Sequence, residues 1–359
     1  MYDRVSQALQ ADQLQQAASL LQQWQQENPA DPWLELALGQ YWQGRGELDR
    51  AQAIYTRLLQ NLSNPRLLTQ TRGALQRLEQ QRVEERQNHL QAARDQPGST
   101  APALLVLHPV APDHRPLAAQ GLAQVMQLDP YTARQRLSSQ HWRLYRVGTL
   151  GELGYLCQHL NRHQVPSSCV PIEAIRAIPV LRVLAILAFE PQIRLVVQLP
   201  EGVQRHLTIP WTEISQWLMG QLPLYESVVD LAPWGKLKRA EKTQDYAEVI
   251  DWHLPRQGYI LRFCDRTYRH RQSCLPPDTL EEAGWVAAIA WKNLKAYFQS
   301  HIQTAAIADF SGFGAGAIEF IDVMPSMAIA IDLLRTTPCP WDYAFHLYSG
   351  MRFLKPNSP

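Results

Sequence analysis

The sequence predicts a multi-domain α+β protein: an N-terminal helical domain, a small α/β domain, an antiparallel β domain with a closing helix, and C-terminal helices. Three observations carry this. Residues 31–65, DPWLELALGQYWQGRGELDRAQAIYTRLLQNLSNP, read as two helices, Trp33–Gln43 and Glu47–Asn61, broken by Gly44-Arg45-Gly46, and their pattern recurs after 34 residues. The stretch PGSTAP at 97–102 has the composition of a linker. From Ile178 the chain becomes a series of short apolar runs separated by proline- and glycine-containing turns, closed by an amphipathic helix. The expected domains are 1–96, 103–177, 178–303 and 304–359.

Within the first region, small residues (Gly39, Ala51) stand where two helices must touch, and large ones (Leu38, Trp42, Leu48, Tyr55, Leu58) fill between them. A hairpin this short cannot bury its apolar face alone, so copies should flank it. The 34-residue shift aligns Leu14 with Leu48, Ala17 with Ala51, Leu21 with Tyr55, Trp24 with Leu58, and Gly39 with Gly73. Asn28-Pro29 and Asn64-Pro65 mark the ends of the units, because proline stops one helix and opens the next. Residues 1–27 give a first, truncated pair. Arg66–Gln80 begins a third that never closes, running on as a polar helix. This quarter of the chain resembles the tetratricopeptide repeat (TPR) family. The resemblance implies a concave face lined by the first helix of each pair: Tyr2, Ser6 and Gln10, then Trp33, Leu36, Gln40 and Gln43, then Leu67, Gln70, Ala74 and Arg77. The Lys, Asn and Arg set with which chaperone-binding members clamp a terminal carboxylate is missing. A glutamine-rich face suits an extended or helical peptide instead.

Beyond the linker the expected order is a strand at 104–110, helices at 114–128 and 130–138, a strand at 141–147, a helix at 150–163 and a strand at 168–172. This βααβαβ order resembles the C-terminal domain of the ribosomal stalk protein and the ClpS adaptor. Strands then follow at 180–189, 193–199, 204–211, 214–222, 246–254 and 259–263, with a helix at Leu280–His301 carrying Trp285, Ile289, Leu294 and Phe298. Antiparallel strands closed by one helix resemble the pleckstrin-homology (PH) superfold. The tail reads as a glycine-rich connection at 311–316, a helix Ile318–Thr336 and a helix Trp341–Leu354.

Composition limits the function classes. A net charge of +1 over 359 residues creates no global field for nucleic acid or an anionic membrane. Only six of the 34 basic residues are lysines, and arginine favours fixed, planar, carboxylate-facing pairs. Five scattered cysteines indicate a reducing compartment without a disulfide framework. The first residues have no apolar signal core, and the longest apolar run, Val180–Phe189, contains Arg182 and is too short to span a bilayer. The expected location is the cytoplasm.

Candidate chemistry is sparse. His159 and His163 lie four apart on a helix near Cys157 and Cys169, without a second ligand pair, and Cys264, His270 and Cys274 match no standard zinc pattern. Gly312, Gly314 and Gly316 lack the spacing of a phosphate loop, and no nucleophile motif occurs. Glu281-Glu282 suit a helix's first turn. No catalytic residue, metal or cofactor is expected. Basic residues gather at Lys236, Lys238, Arg239 and Lys242, diluted by Glu241 and Asp245. A denser set, Arg262, Arg266, Arg269 and Arg271, with the aromatic Tyr268 among them, is the candidate grip for an anionic partner. The expected function is a non-enzymatic adaptor or assembly factor that binds a protein partner through the N-terminal groove. The alternatives are an RNA- or ribosome-associated factor and an enzyme with a site between the β domain and the C-terminal helices.

Overall fold

In the computed structural model the described residues are 1–61, 64–231, 237–277, 286–333 and 339–355, with the side chains of 226–231 and 237–242 excepted. Lys236, Glu281, Glu282 and Trp285, and the side chains of Lys238, Arg239, Glu241 and Lys242, therefore lie outside them. The chain divides into two units, Met1–Ala92 and Ala93–Pro359.

The first unit is helical: α1 (Tyr2–Gln10), α2 (Leu14–Glu27), α3 (Pro32–Gly44), α4 (Leu48–Asn61) and α5 (Pro65–Arg94), the last continuing past the unit boundary. The local chemistry sets the starts. Asp31 caps α3 by accepting from the Trp33 amide at 3.0 Å, with Pro32 in the first turn. Asn64 does the same for α5, accepting from the Arg66 amide at 3.0 Å. Two apolar clusters hold the helices. One joins α1, α2 and α3 through Val5, Ala17, Leu21, Trp24 and Leu34, and the other joins α3, α4 and α5 through Leu36, Ala51, Tyr55, Leu67 and Leu78. Gly39 is required at the α3–α4 contact, since a Cβ there would lie 2.3 Å from the Tyr55 ring. Gly73, its counterpart after 34 residues, meets nothing within 4 Å. The reason is that α5 is one unbroken helix, so no partner folds back on it.

The second unit contains two sheets. Strands β1 (Pro102–Leu107), β2 (Arg143–Thr149) and β3 (Ser167–Pro171) form an antiparallel sheet in the order β2-β1-β3. Helices α6 (Arg115–Met126), α7 (Pro130–Arg136) and α8 (Leu150–Arg162) cover one face, over Ala103, Leu105 and Leu107. A short helix, α9 (Ile172–Arg176), follows β3. The PGSTAP stretch is folded onto this unit. Ser99 is buried, and the carbonyls of Ser99 and Ala101 accept from the amides of Gly151 and Leu150.

The second sheet holds β4 (Val180–Ala188), β5 (Ile193–Gln198), β6 (Gln204–Ile209), β7 (Gln216–Leu231), β8 (Leu237–Leu254) and β9 (Tyr259–Cys264), in the order β6-β5-β4-β9-β8-β7. It consists of two antiparallel meanders, β4-β5-β6 and β7-β8-β9. They are joined by a parallel pairing of β4 with β9, Val180↔Ile260 to Arg182↔Arg262. This corrects the all-antiparallel expectation: after β6 the chain crosses to the far edge and returns, so β9 arrives beside β4 in the same direction. Helix α10 (Ala287–His301) packs Trp291, Leu294 and Phe298 on one face, against Trp217, Trp252 and Phe263.

Two further helices, α11 (Phe310–Ala317) and α12 (Pro340–Leu354), fill the space between the sheets. Their core includes Phe310, Phe313, Phe345, Tyr348 and Met351, packed with Leu104, Val106 and Leu144 of the first sheet and Leu218, Leu222 and Val249 of the second. Helix α12 is buried without a break from Ala344 to Arg352, the burial expected of a central helix. The glycine-rich segment is thus helical, not a flexible connection. A Cβ at Gly314 would lie 2.6 Å from the Trp341 ring, so glycine here permits close packing. The expected helix at 318–336 is absent over its described part. A 3-10 turn, Ile318–Val323, gives way to extended backbone at Met324. Pro325 explains the break, because it lacks an amide donor and restricts the residue before it. Among the described residues, no helix is long and apolar enough to cross a membrane.

Candidate functional site

Helices α1, α3 and α5 enclose a cleft of about 770 Å³. Tyr2, Ser6 and Gln10 line it from α1, Gln40 and Gln43 from α3, and Gln70, Gly73, Arg77 and Gln81 from α5. Spacings of three and four residues put each set on one face of its helix. The amides are organised into a network. Gln40 donates to the Tyr2 hydroxyl at 3.2 Å and Gln43 to Gln81 Oε1 at 3.2 Å, while Tyr55 donates to Gln43 Oε1 at 3.1 Å. Burial pushes the Tyr55 phenol far up, opposed by the Arg77 guanidinium, so it stays a neutral donor. Gln70 Oε1 is buried without a hydrogen-bond partner.

Four of the expected groove residues do not line this cleft. Leu36, Leu67 and Ala74 are buried in one apolar cluster, because the first turns of α5 pack directly on α3 and close the space there. Trp33 braces the helices, meeting Tyr2 edge-on at 5.0 Å between ring centroids.

The arginine set is not brought together. Arg262 is inside the second unit, paired with Asp251 through bonds of 2.8 and 2.6 Å, and cannot meet a partner at the surface. It faces Asp251 directly in the β8–β9 register, so the sheet itself makes the pair. Arg266 is held by Asp245 and Asp265. Arg269 and Arg271 are exposed beyond the strand.

Around Asp251 lies a buried polar network that the linear sequence did not disclose. Ser349 of α12 donates to Asp251 Oδ2 at 2.5 Å, and His253 Nε2 lies 3.0 Å from the Ser349 hydroxyl. Gln216 contacts His253 Nδ1 at 2.9 Å and donates to the Arg352 carbonyl at 2.8 Å. Asp251, His253 and Ser349 are all fully buried, so these groups tie α12 to the sheet and offer no access to a substrate. The visible signal was the alternation of Asp251 and His253 on one strand face; their partners on α12 are about 100 residues away. Among the described residues, no group of three or more His, Cys, Asp or Glu side chains is placed to hold a metal ion.

In comparisons with protein-family models, curated proteins and solved structures, nothing matches this chain.

Proposed function

We propose that the chain is a protein-interaction adaptor whose N-terminal cleft holds a peptide segment of a partner. One observation supports this above others. Seven residues placed by the repeat register, Tyr2, Ser6, Gln10, Gln40, Gln43, Gln70 and Arg77, line a single cleft. The resemblance to the tetratricopeptide family implies the same use of that face. Carboxamide side chains both donate and accept, so they match the alternating N–H and C=O groups of a peptide backbone. Gln70 Oε1 is an acceptor already removed from water.

The cleft can be blocked from its own wall. Gly73 lines it, and a Cβ added there meets nothing within 4 Å. Gly73→Leu should keep the fold and raise helix stability by roughly 0.5–1 kcal/mol, since glycine is the poorer helix former. Peptides selected from a random display library on the wild-type protein should bind Gly73→Leu at least about tenfold more weakly by calorimetry, a loss near 1.4 kcal/mol. Unchanged affinity in a variant with an intact melting transition would place peptide binding elsewhere.

A further inference from the structure

A second cleft, of about 300 Å³, lies in the second unit, on the face of the six-stranded sheet that α10 covers. The register puts Met219 opposite Ile250 and Gln221 opposite Glu248, and Met219 and Ile250 pack in the core beneath α10. Strand alternation therefore directs all four to that face. The pair between them, Gly220 and Val249, is turned the other way. Val249 belongs to the core around α12, and a Cβ on Gly220 would lie 2.5 Å from the Phe345 ring. Between the two cross-strand pairs the floor is thus backbone alone. Lys295 of α10 and Ala308 line the sides. Ala308 follows Ile307, whose amide and carbonyl bond to Trp217 and Met219 on the sheet edge at 3.0 and 2.9 Å.

Two opposite charges stand at one wall. Glu248 and Lys295 are the charged groups among the described residues that line the cleft. Glu248 Oε2 accepts from Lys295 Nζ at 2.5 Å and from Trp291 Nε1 at 2.6 Å. Both bonds end on the same oxygen, so Oε1 has no donor among the described residues and keeps its acceptor capacity. The Lys295 ammonium has three hydrogens and gives one to Glu248. An acceptor and a donor of opposite charge are therefore left side by side, next to the apolar Met219 and Ile250. The Lys295 and Glu248 side chains are 27% and 29% exposed, so a solute can reach them.

We propose that this cleft binds a small zwitterion, an α-amino acid with an apolar side chain. Its ammonium donates to Glu248 Oε1, its carboxylate accepts from Lys295 Nζ, and its side chain lies against Met219 and Ile250. Hydrogen bonds between ionised groups are the stronger kind. The Glu248–Lys295 wall carries no net charge, so a ligand with a single charge meets one of its two groups, whereas a zwitterion meets both. The cleft stands at the lower end of the roughly 300–1,000 Å³ range of ligand pockets, which limits it to a small molecule.

L-Leucine is the probe, measured by titration calorimetry on the full chain at neutral pH. Two controls keep the hydrocarbon and delete one charge each: isocaproate lacks the ammonium, and isoamylamine lacks the carboxylate. Leucine should bind, and each control should bind roughly tenfold or more weakly, because one charge-assisted bond is lost. Lys295→Gln should weaken leucine by a similar factor; the side chain is partly exposed, and an unchanged melting transition checks the fold. Ala308→Phe, on the exposed rim, should fill the cleft and remove binding whichever groups hold the ligand. Absence of leucine binding, equal binding of either control, or indifference to Lys295→Gln or Ala308→Phe would each overturn the assignment.

Discussion

At the scale of single residues, the Asp251–Arg262 pair is the feature with the largest expected energetic consequence. Both side chains are almost wholly buried, and each is satisfied by the other and by further hydrogen bonds. Removing one partner leaves an uncompensated charge in the interior, which typically costs about 3–5 kcal/mol. Asp251→Ala should therefore lower the unfolding free energy by that amount in a denaturant titration. Arg266→Ala, which breaks exposed pairs, should change it by no more than about 1 kcal/mol. Equal losses in the two variants would show that the buried pair is not the anchor described. The pair was half legible in the sequence: arginine-rich usage announced carboxylate-facing pairs, but which arginine turns inward depends on strand register. Arg262, Arg266 and Arg269 look alike along the chain, and only cross-strand placement opposite Asp251 separates the first from the others.

At the scale of elements, periodicity made most helices and strands legible, and composition misled where packing decides. The strand at Leu104 stood out as a short continuous apolar run, and the helices after it by apolar positions with a period near 3.6. The glycine-rich 311–316 segment read as loose because glycine disfavours helices in isolation. In the structure Gly312 and Gly314 let α11 sit close to its neighbours, a long-range effect with no local trace. The PGSTAP stretch shows the same reversal. Its backbone carbonyls are occupied by Leu150 and Gly151, and Ser99 is buried, although its composition is that of a linker. Limited proteolysis followed by mass spectrometry should leave 97–102 intact while more exposed chain is cut, since nicking requires backbone that opens readily. First cleavage inside that stretch would mean that it does not hold to the unit as described. Seven residues of the first unit's cleft were legible through the 34-residue alignment and the repeat-family resemblance it carries. Leu36 was misplaced because phase does not say where the next helix closes over it.

At the scale of the whole second unit, three buried histidines make stability depend on acid. Burial is the leading cause in each: it lowers His108 and His253 to about 4 and His346 to about 3, with nearby arginines adding to it and Asp251 opposing it at His253 and His346. Unfolded, each returns to an ordinary value near 6.5. The unfolded chain therefore takes up protons first as pH falls. Stability is complete above pH ~6.5 and declines towards pH ~4, by about 1.4 kcal/mol per pH unit for each histidine in the middle of that window. Melting temperatures should fall steeply from pH 7 to 5, and His108→Gln should flatten the slope; a flat profile in the wild type would contradict the burial of these rings. The position of α12 has another consequence. Both sheets precede it in the chain, yet each has a face packed against this helix and α11. During synthesis the nascent sheets must wait with those faces bare, so vectorial folding of this unit stalls until α12 has cleared the ribosome. That interval is when a holding chaperone would be needed most.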